Sequence, residues 1–394
     1  MSQPSPSPSL QATFDAVLKD SQIDLQSVRA MGVDSGSEHA WAVFADSAAA
    51  ITGLQETALN ACTGDRGAVF VLLESKASDS ELARLRNHLW PQFHAVALYD
   101  GQGERIQRRT VGASAKLSEG GGSGQVFLLR RLQEVMSPET TTAKFDQNAK
   151  GWDGVPGAPG YAHFRWMRRF VALYGRPDSA SRILDFGSGA GWVGIEAAKC
   201  FPGSSLYLFD PSPEMVRIAE GNAQAQGITE CEGRVGFGDV PPFPQPGEAP
   251  YDWVISSGVI SFAPDSEAWL DGLCATLAPG GTLVIGDIQL ESKGFRKRRK
   301  SHPLLPVREL NAKSASWVRE ALEARGYEFI RGSAYQLTYP VPQVMHVNEK
   351  KLGGVLSRPL LWLNQLGASL SRMSGGKGKG AFDSWVMHLR APGA

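Results

Sequence analysis

The stretch ILDFGSGAGWVG, residues 183–194, can be parsed in two ways. Read from Gly189, it contains G-x-G-x-x-G (Gly189, Gly191, Gly194), the pattern that lets a dinucleotide pyrophosphate approach a helix N-terminus. Read from Asp185, it is D-x-G-x-G-x-G, a carboxylate two residues ahead of Gly187, Gly189 and Gly191. Both parses predict a strand over Arg182 to Phe186, a glycine turn and a helix, with a ligand at the turn. The glycines remove Cβ atoms and the helix start supplies N–H groups, which suits either ligand. The acid separates the two. A carboxylate at the turn repels a pyrophosphate and attracts a ligand that carries an amino group and a sulfonium. Asp185 therefore predicts the cationic ligand.

Working outward, the following strand ends in SLYLFD, which sets Asp210 nineteen residues after Gly191, where a carboxylate can bind both hydroxyls of a ribose. GRVGFGD reads as a third strand ending at Asp239, placed to accept from an adenine amine; YDWVISSG reads as a fourth strand. LAPGGTLVIGD reads as a helix end, a turn and a fifth strand, and YEFIRG and DSWVMHL as two more. Helical spacing fills the gaps between them. Strands separated by helical crossovers predict an α/β, doubly wound and mostly parallel sheet, with the ligand beyond the carboxyl ends of its strands.

This order of motifs, over roughly residues 144–330 plus the last strand at 383–389, resembles the class I S-adenosylmethionine-dependent methyltransferases. The resemblance implies a Rossmann-like methyltransferase sheet whose last strand is antiparallel, with S-adenosyl-L-methionine as cofactor and no metal. It places Asp185, Gly187, Ser188, Gly189 and Gly191 at the methionine end, Asp210 and Pro211 at the ribose, Asp239 and Val240 at the adenine, and Ser257 beside them. The run Phe145-Asp-Gln-Asn-Ala149-Lys-Gly-Trp152-Asp153 is similar to the F-D-x-x-A-x-x-Y-D cap helix of the ubiquinone and menaquinone biosynthesis branch, with Trp in place of Tyr. That similarity implies a small, apolar or lipid-like acceptor.

Methyl transfer from a sulfonium is an in-line displacement, so a general base is needed only where the acceptor atom starts protonated. His163 and His302 are the candidate catalytic bases, and Trp152 and Tyr161 the candidate substrate contacts. The N-P-P-Y type tetrapeptide of amino-group nucleic-acid methylation is absent, because the fourth strand continues as Ile255-Ser-Ser-Gly258; nucleic acid is thereby disfavoured as acceptor. Three alternatives stay open, one of them a non-catalytic cofactor-binding scaffold acting through residues 10–118. An RNA or protein methyltransferase would use the five consecutive cations Arg296 to Lys300, which otherwise read as an exposed loop. An NAD-dependent oxidoreductase would use the Gly189 parse.

Between the last two strands lies KKLGGVLSRPLLWLNQLGASLSRM, residues 350–373. Trp362, Leu366, Leu370 and Met373 share one helical face beside Leu363, with Lys350, Lys351, Arg358 and Arg372 at its margins. Such a helix can lie on an anionic membrane surface or close over an apolar substrate, and equally pack on the domain or in a dimer.

The chain has 394 residues, enough for two or three domains, with 42% hydrophobic and 20% charged residues. Its net charge is +0, yet residues 291–394 carry 18 Lys and Arg against 7 Asp and Glu, which makes that segment the anion-facing one. Cys62, Cys200, Cys231 and Cys274 show neither a disulfide framework nor metal-ligand spacing. A cytoplasmic protein, with peripheral contact at the inner membrane face, is expected. Residues 1–10 read as a disordered Pro/Ser segment, 11–118 as a small α/β accessory domain, and 119–143 as a linker with an apolar helix at VFLLRRLQEVM. Residues 144–394 read as the methyltransferase-like domain, with an insertion at about 340–380. The accessory domain carries no catalytic motif and reads as a partner-docking or homodimerisation module.

Overall fold

The computed structural model describes residues 12–17, 28–30, 40–45, 68–73, 77–89, 93–103, 125–131, 138–149, 161–241, 244, 247–301, 312–338, 353–375 and 379–393. The chain divides into two compact units, Met1–Ser137 with Lys297–Leu310, and Pro138–Arg296 with Asn311–Ala394. The Pro/Ser segment at residues 1–10 lies outside the described residues.

The first unit holds strands β1 (Val28–Ala30), β2 (Ala40–Ala45), β3 (Ala68–Leu73), β4 (Phe93–Tyr99) and β5 (Gln125–Arg131), with helix α1 (Asp79–Leu89). The sheet order is β1-β2-β3-β5-β4. β1, β2 and β3 run parallel, and β5 is antiparallel to both β3 and β4. Of the run read as an apolar helix after residue 124, Val126 to Arg131 are thus strand, and the sheet continues past residue 118. Val126, Phe127, Leu128 and Leu129 are all buried, so both faces of β5 are covered. A continuous apolar run of this length has neither helical nor strand periodicity, and its two sheet neighbours decide its conformation.

The second unit opens with helices α2 (Pro138–Asn148) and α3 (Tyr161–Tyr174). Then come β6 (Arg182–Phe186), α4 (Trp192–Ala198), β7 (Ser205–Asp210), α5 (Pro213–Ala225), β8 (Cys231–Val235), β9 (Tyr251–Ser257), α6 (Ser266–Cys274), β10 (Leu277–Ile288), α7 (Lys293–Ser301), α8 (Ala315–Ala324), β11 (Glu328–Leu337), α9 (Gly353–Met373) and β12 (Phe382–Arg390). The sheet order is β11-β12-β10-β9-β6-β7-β8. β8, β7, β6, β9 and β10 are parallel, while β12 runs antiparallel between β10 and β11. The mostly parallel sheet with an antiparallel last strand agrees with the expectation.

Period-two alternation sends neighbouring residues into opposite layers. Leu184 and Phe186 of β6 pack with Trp269, Leu273, Val318 and Leu322, the layer of α6 and α8. Ile183 instead joins Val171, Ile195, Ala219 and Ala368, the layer of α3, α4, α5 and α9. Asp185 shares parity with Ile183, so its carboxylate faces α4 and not solvent.

Two expectations about element ends are corrected. The third strand stops at Val235 and not at Asp239, because Gly236 and Gly238 lead into a turn; Gly238 lies so close to Gly272 of α6 that a side chain at Gly272 would meet its carbonyl. The basic run is helical and not an open loop. Ser292 caps α7 by accepting from the Phe295 N–H at 3.1 Å, and its hydroxyl also donates to Asp383 at 2.5 Å. That anchor is 91 residues away in sequence.

Candidate functional site

The carboxyl ends of β6 and β7 bring Asp185, Asp210 and the glycine turn together, at the point where β6 is flanked by β7 on one side and β9 on the other. Gly187 and Gly191 have φ of 82° and 84°, the left-handed region in which a Cβ costs about 1–2 kcal/mol. Space forbids a side chain as well. A Cβ on Gly187 would overlap the methyl groups of Val259, and one on Gly191 would sit 2.9 Å from Ala219 Cβ.

The destination of the turn's N–H groups is the deciding feature. Those of Gly187 and Ser188 both donate to the Phe209 carbonyl, at 2.7 and 2.8 Å, and that of Gly191 to the Ser188 carbonyl at 2.8 Å. Gly189 donates to Asp210 Oδ2 at 2.9 Å, and Gly194 to Asp185 Oδ2 at 2.7 Å. These five donors are consumed within the chain, so they offer no cradle to an anion. What the turn presents is acceptor chemistry, two carboxylates at adjoining strand ends, and it fits a cationic nucleoside. Asp210 Oδ1 accepts from the Ser212 N–H at 3.0 Å, so each oxygen of Asp210 takes one backbone donor and keeps a second lone-pair position, enough for two ribose hydroxyls.

Burial governs the electrostatics. Asp185 is 1% exposed, and desolvation pushes its carboxyl up from 3.8 to about 7, against the Gly194 hydrogen bond; the charge of Asp210 adds to the rise and Arg168 opposes it. Asp210 is pushed up to about 6 by burial and by Asp146, against its two backbone hydrogen bonds. A bound cation would favour both carboxylates in their charged form.

Two aromatic and polar contacts bring α2 onto this site. Phe145 meets Phe262 edge to face with centroids 5.0 Å apart, and Asp146 accepts a hydrogen bond from Ser212. Ser212 is the N-cap of α5, accepting from the Met215 N–H at 3.1 Å, with Pro213 at the first helical position. Across the site, Asp287 at the end of β10 accepts from the Ser261 N–H at 2.9 Å and its hydroxyl at 3.1 Å, which holds the single turn Ile260–Phe262 over the strand ends. Ser256 ties β9 to β6 by donating to the Phe186 carbonyl at 2.7 Å.

Of the residues singled out from sequence, Asp185, Gly187, Ser188, Gly189, Gly191, Asp210 and Pro211 form one connected turn system. Ser257 ends β9 and is half-buried. Asp239 lies on an exposed turn past β8, bonded to the Val240 N–H at 3.1 Å, and Val240 is 78% exposed. His163 is buried in the first turn of α3, which Tyr161 opens. Trp152, Asp153 and His302 lie outside the described residues. Sequence reasoning placed Asp146 in the cap-helix motif but missed Ser212, Val259, Ser261 and Asp287. The helix-start pattern Asp-Pro-Ser-Pro at 210–213 was a usable signal for Ser212. Val259 and Asp287 had none, because their roles come from chain segments far away in sequence. Among the described residues, no group of three or more His, Cys, Asp or Glu side chains could hold a metal ion.

Residues 177–325 match the family model described as a methyltransferase domain. The chain is 33% identical over 143 residues to an uncharacterised protein of Mycobacterium tuberculosis, a stretch that is 36% of this chain and 49% of the relative. It is 35% identical over 133 residues to the demethylmenaquinone methyltransferase of Thermus thermophilus, covering 34% of this chain and 58% of that enzyme. To the trans-aconitate 2-methyltransferase of Streptomyces avermitilis it is 34% identical over 125 residues, covering 30% and 44%. The chain spans about half the length of these relatives.

Proposed function

We propose that the methyltransferase domain matched at residues 177–325 is of the class I S-adenosylmethionine-dependent kind, and that the chain binds S-adenosylmethionine and methylates a small, apolar or lipid-like acceptor. The observation that carries the cofactor is the spent turn: its glycine N–H groups are bonded internally, and buried carboxylates stand where a pyrophosphate would need donors. The oxidoreductase alternative loses its ground on the same observation.

Bound at this turn, the cofactor supplies a methyl group on a sulfonium for in-line displacement by the acceptor. Asp210 offers its remaining lone pairs to the ribose hydroxyls, and Asp185 balances positive charge from beneath the turn. Asp239 and Val240 form the lip that would meet the adenine. Phe145, Val259 and Phe262 make an apolar rim, which excludes water and strengthens the electrostatics inside it. That rim supports an apolar acceptor, as does the relative named for demethylmenaquinone, although the relative named for trans-aconitate acts on a polar acid. No base is assigned, because one is required only for an acceptor atom protonated at rest.

Calorimetric titration with S-adenosylhomocysteine and with NAD(H) tests the cofactor. Binding of the first and not the second is expected, and the reverse would sink the reading. Mass spectrometry of lipid and metabolite extracts incubated with the protein and methyl-labelled cofactor then identifies the acceptor. Label in an apolar small molecule is expected, and label in RNA or protein would replace this acceptor class.

A further inference from the structure

Helix α9 is amphipathic in an inverted sense. The side facing the sheet is built from Leu360, Asn364, Ala368 and Ser371, all buried, and two of these are polar. The side facing away carries Trp362, Leu363, Leu366, Leu370 and Met373, at 60%, 43%, 42%, 56% and 84% exposure. The polar choice on the inner side has a cause. β11 is an edge strand whose one neighbour is β12, so its outer N–H groups need acceptors. Leu337 donates to Asn364 Oδ1 at 2.9 Å and Ala334 to Ser371 Oγ at 3.1 Å. Edge closure explains Asn364 and Ser371 but not the exposed apolar stripe.

The same two bonds fix the helix direction. Asn364 sits at Leu337, the carboxyl end of β11, and Ser371 at Ala334, further back along the strand. α9 therefore runs against β11, and its residues before Asn364 extend about 16 Å past the strand ends at 1.5 Å per residue. That is the end of the sheet at which Asp185 and Asp210 lie. Cations gather there. Arg358 of α9 is exposed, as are Lys293 and Arg296 of α7, whose Arg296 Nη2 would lie 3.8 Å from a Cβ on Gly380, just ahead of β12; Arg372, next to Ser371 and so toward the other end of the sheet, is exposed with its guanidinium 5.7 Å from the centre of the Tyr174 ring. Between Glu349 and Asp383 the sequence has six Lys or Arg and no Asp or Glu.

We propose that α9 docks on an anionic lipid surface, its Trp362, Leu366, Leu370 and Met373 stripe entering the interfacial layer and its arginines meeting the headgroups. An outward Trp beside Leu and Met suits the boundary between headgroup and acyl chain, and basic residues near an anionic leaflet add attraction. With exposed Arg358 and Arg372 and no acidic residue in sequence between Glu349 and Asp383, docking against a second copy of the same face would bring like charges together. Among the described residues no helix is long and apolar enough to cross a membrane, so the contact is peripheral. The inference stands apart from the cofactor assignment, since vesicle binding is read without turnover.

The test is co-sedimentation of the full chain with phosphatidylcholine vesicles and with mixed phosphatidylcholine and phosphatidylglycerol vesicles. Binding to the mixed vesicles alone, weakened by salt, is expected. The double variant W362S/L370S should lose more than about tenfold in vesicle affinity. R358Q/R372Q should bind more weakly and with less salt dependence. Both variants keep Leu360, Asn364, Ala368 and Ser371, and R358Q/R372Q removes only the Arg372 guanidinium from the Tyr174 ring, so circular dichroism and cofactor affinity serve as controls for an intact fold. Failure to sediment with mixed vesicles would overturn the proposal, as would undiminished binding by W362S/L370S. A parent dimer that the same substitutions convert to monomer, without vesicle binding, would make the stripe a self-association face instead.

Discussion

Asp185 and Gly194 are nine residues apart and in contact: the Gly194 N–H donates to Asp185 Oδ2 at 2.7 Å, and a Cβ on Gly194 would fall 2.8 Å from Asp185 Cβ. The acid that leads the motif and the glycine that closes it are one structural unit, which seats the first turn of α4 on the end of β6. Gly194→Ala inserts a methyl group between Asp185 and Leu206. A loss of about 1–3 kcal/mol is expected, read as a lower melting temperature, with cofactor affinity falling as the turn shifts.

Asp210→Ala removes the carboxylate that accepts from both Gly189 and Ser212. The sheet is held by other contacts, so the variant is expected to stay folded by circular dichroism. Two hydrogen bonds to a charged group, at about 1.5–3 kcal/mol each, predict binding of S-adenosylmethionine weakened by roughly a hundredfold or more in calorimetry. Affinity near that of the parent would refute the ribose assignment.

Gly187→Ala combines left-handed strain with overlap of Val259. The double substitution with Val259→Ala relieves the overlap and leaves the strain. A double-mutant cycle on melting free energies should therefore show favourable coupling of about 1 kcal/mol, with the pair still less stable than the parent.

The buried carboxylates set a pH dependence. Asp185 and Asp210 rise from 3.8 to about 7 and about 6 in the folded chain, so between pH 3.8 and about 7 the folded state holds protons that the unfolded state has lost. Stability from these two groups is fully present below 3.8 and declines as pH rises through 6 and 7. A cationic ligand favours the ionised forms. Its affinity should tighten as pH rises through the same window, with proton release on binding. Calorimetry in buffers of different ionisation enthalpy reads that release directly, and proton uptake would contradict the arrangement.

Much of the site was legible because it is local. The strand, the acid, the glycines and the next strand's Asp210 lie within one crossover, and spacing alone places them at adjoining strand ends. The rim was less legible. Phe145 meets Phe262, Asp146 meets Ser212, and Asp287 holds Ser261, each pair joining segments that no local pattern connects. The segment at 125–131 was misread for a related reason: apolar run length does not distinguish a strand buried on both faces from a buried helix.

By itself, the sequence determined the alternation of strands and helices from β6 to β10, the acid-led turn and the apolar stripe of α9, because periodicity records which faces of an element are apolar and glycine spacing records where Cβ atoms are absent. The tertiary structure decided what those features meet. It spent the turn's N–H groups on Phe209, Asp210 and Asp185, leaving acceptors for the ligand. It also turned the polar side of α9 inward, because the edge N–H groups of Leu337 and Ala334 need oxygen more than that edge needs another hydrocarbon. Hydrogen-bond satisfaction is a property of partners, and partners exist only once the chain has folded.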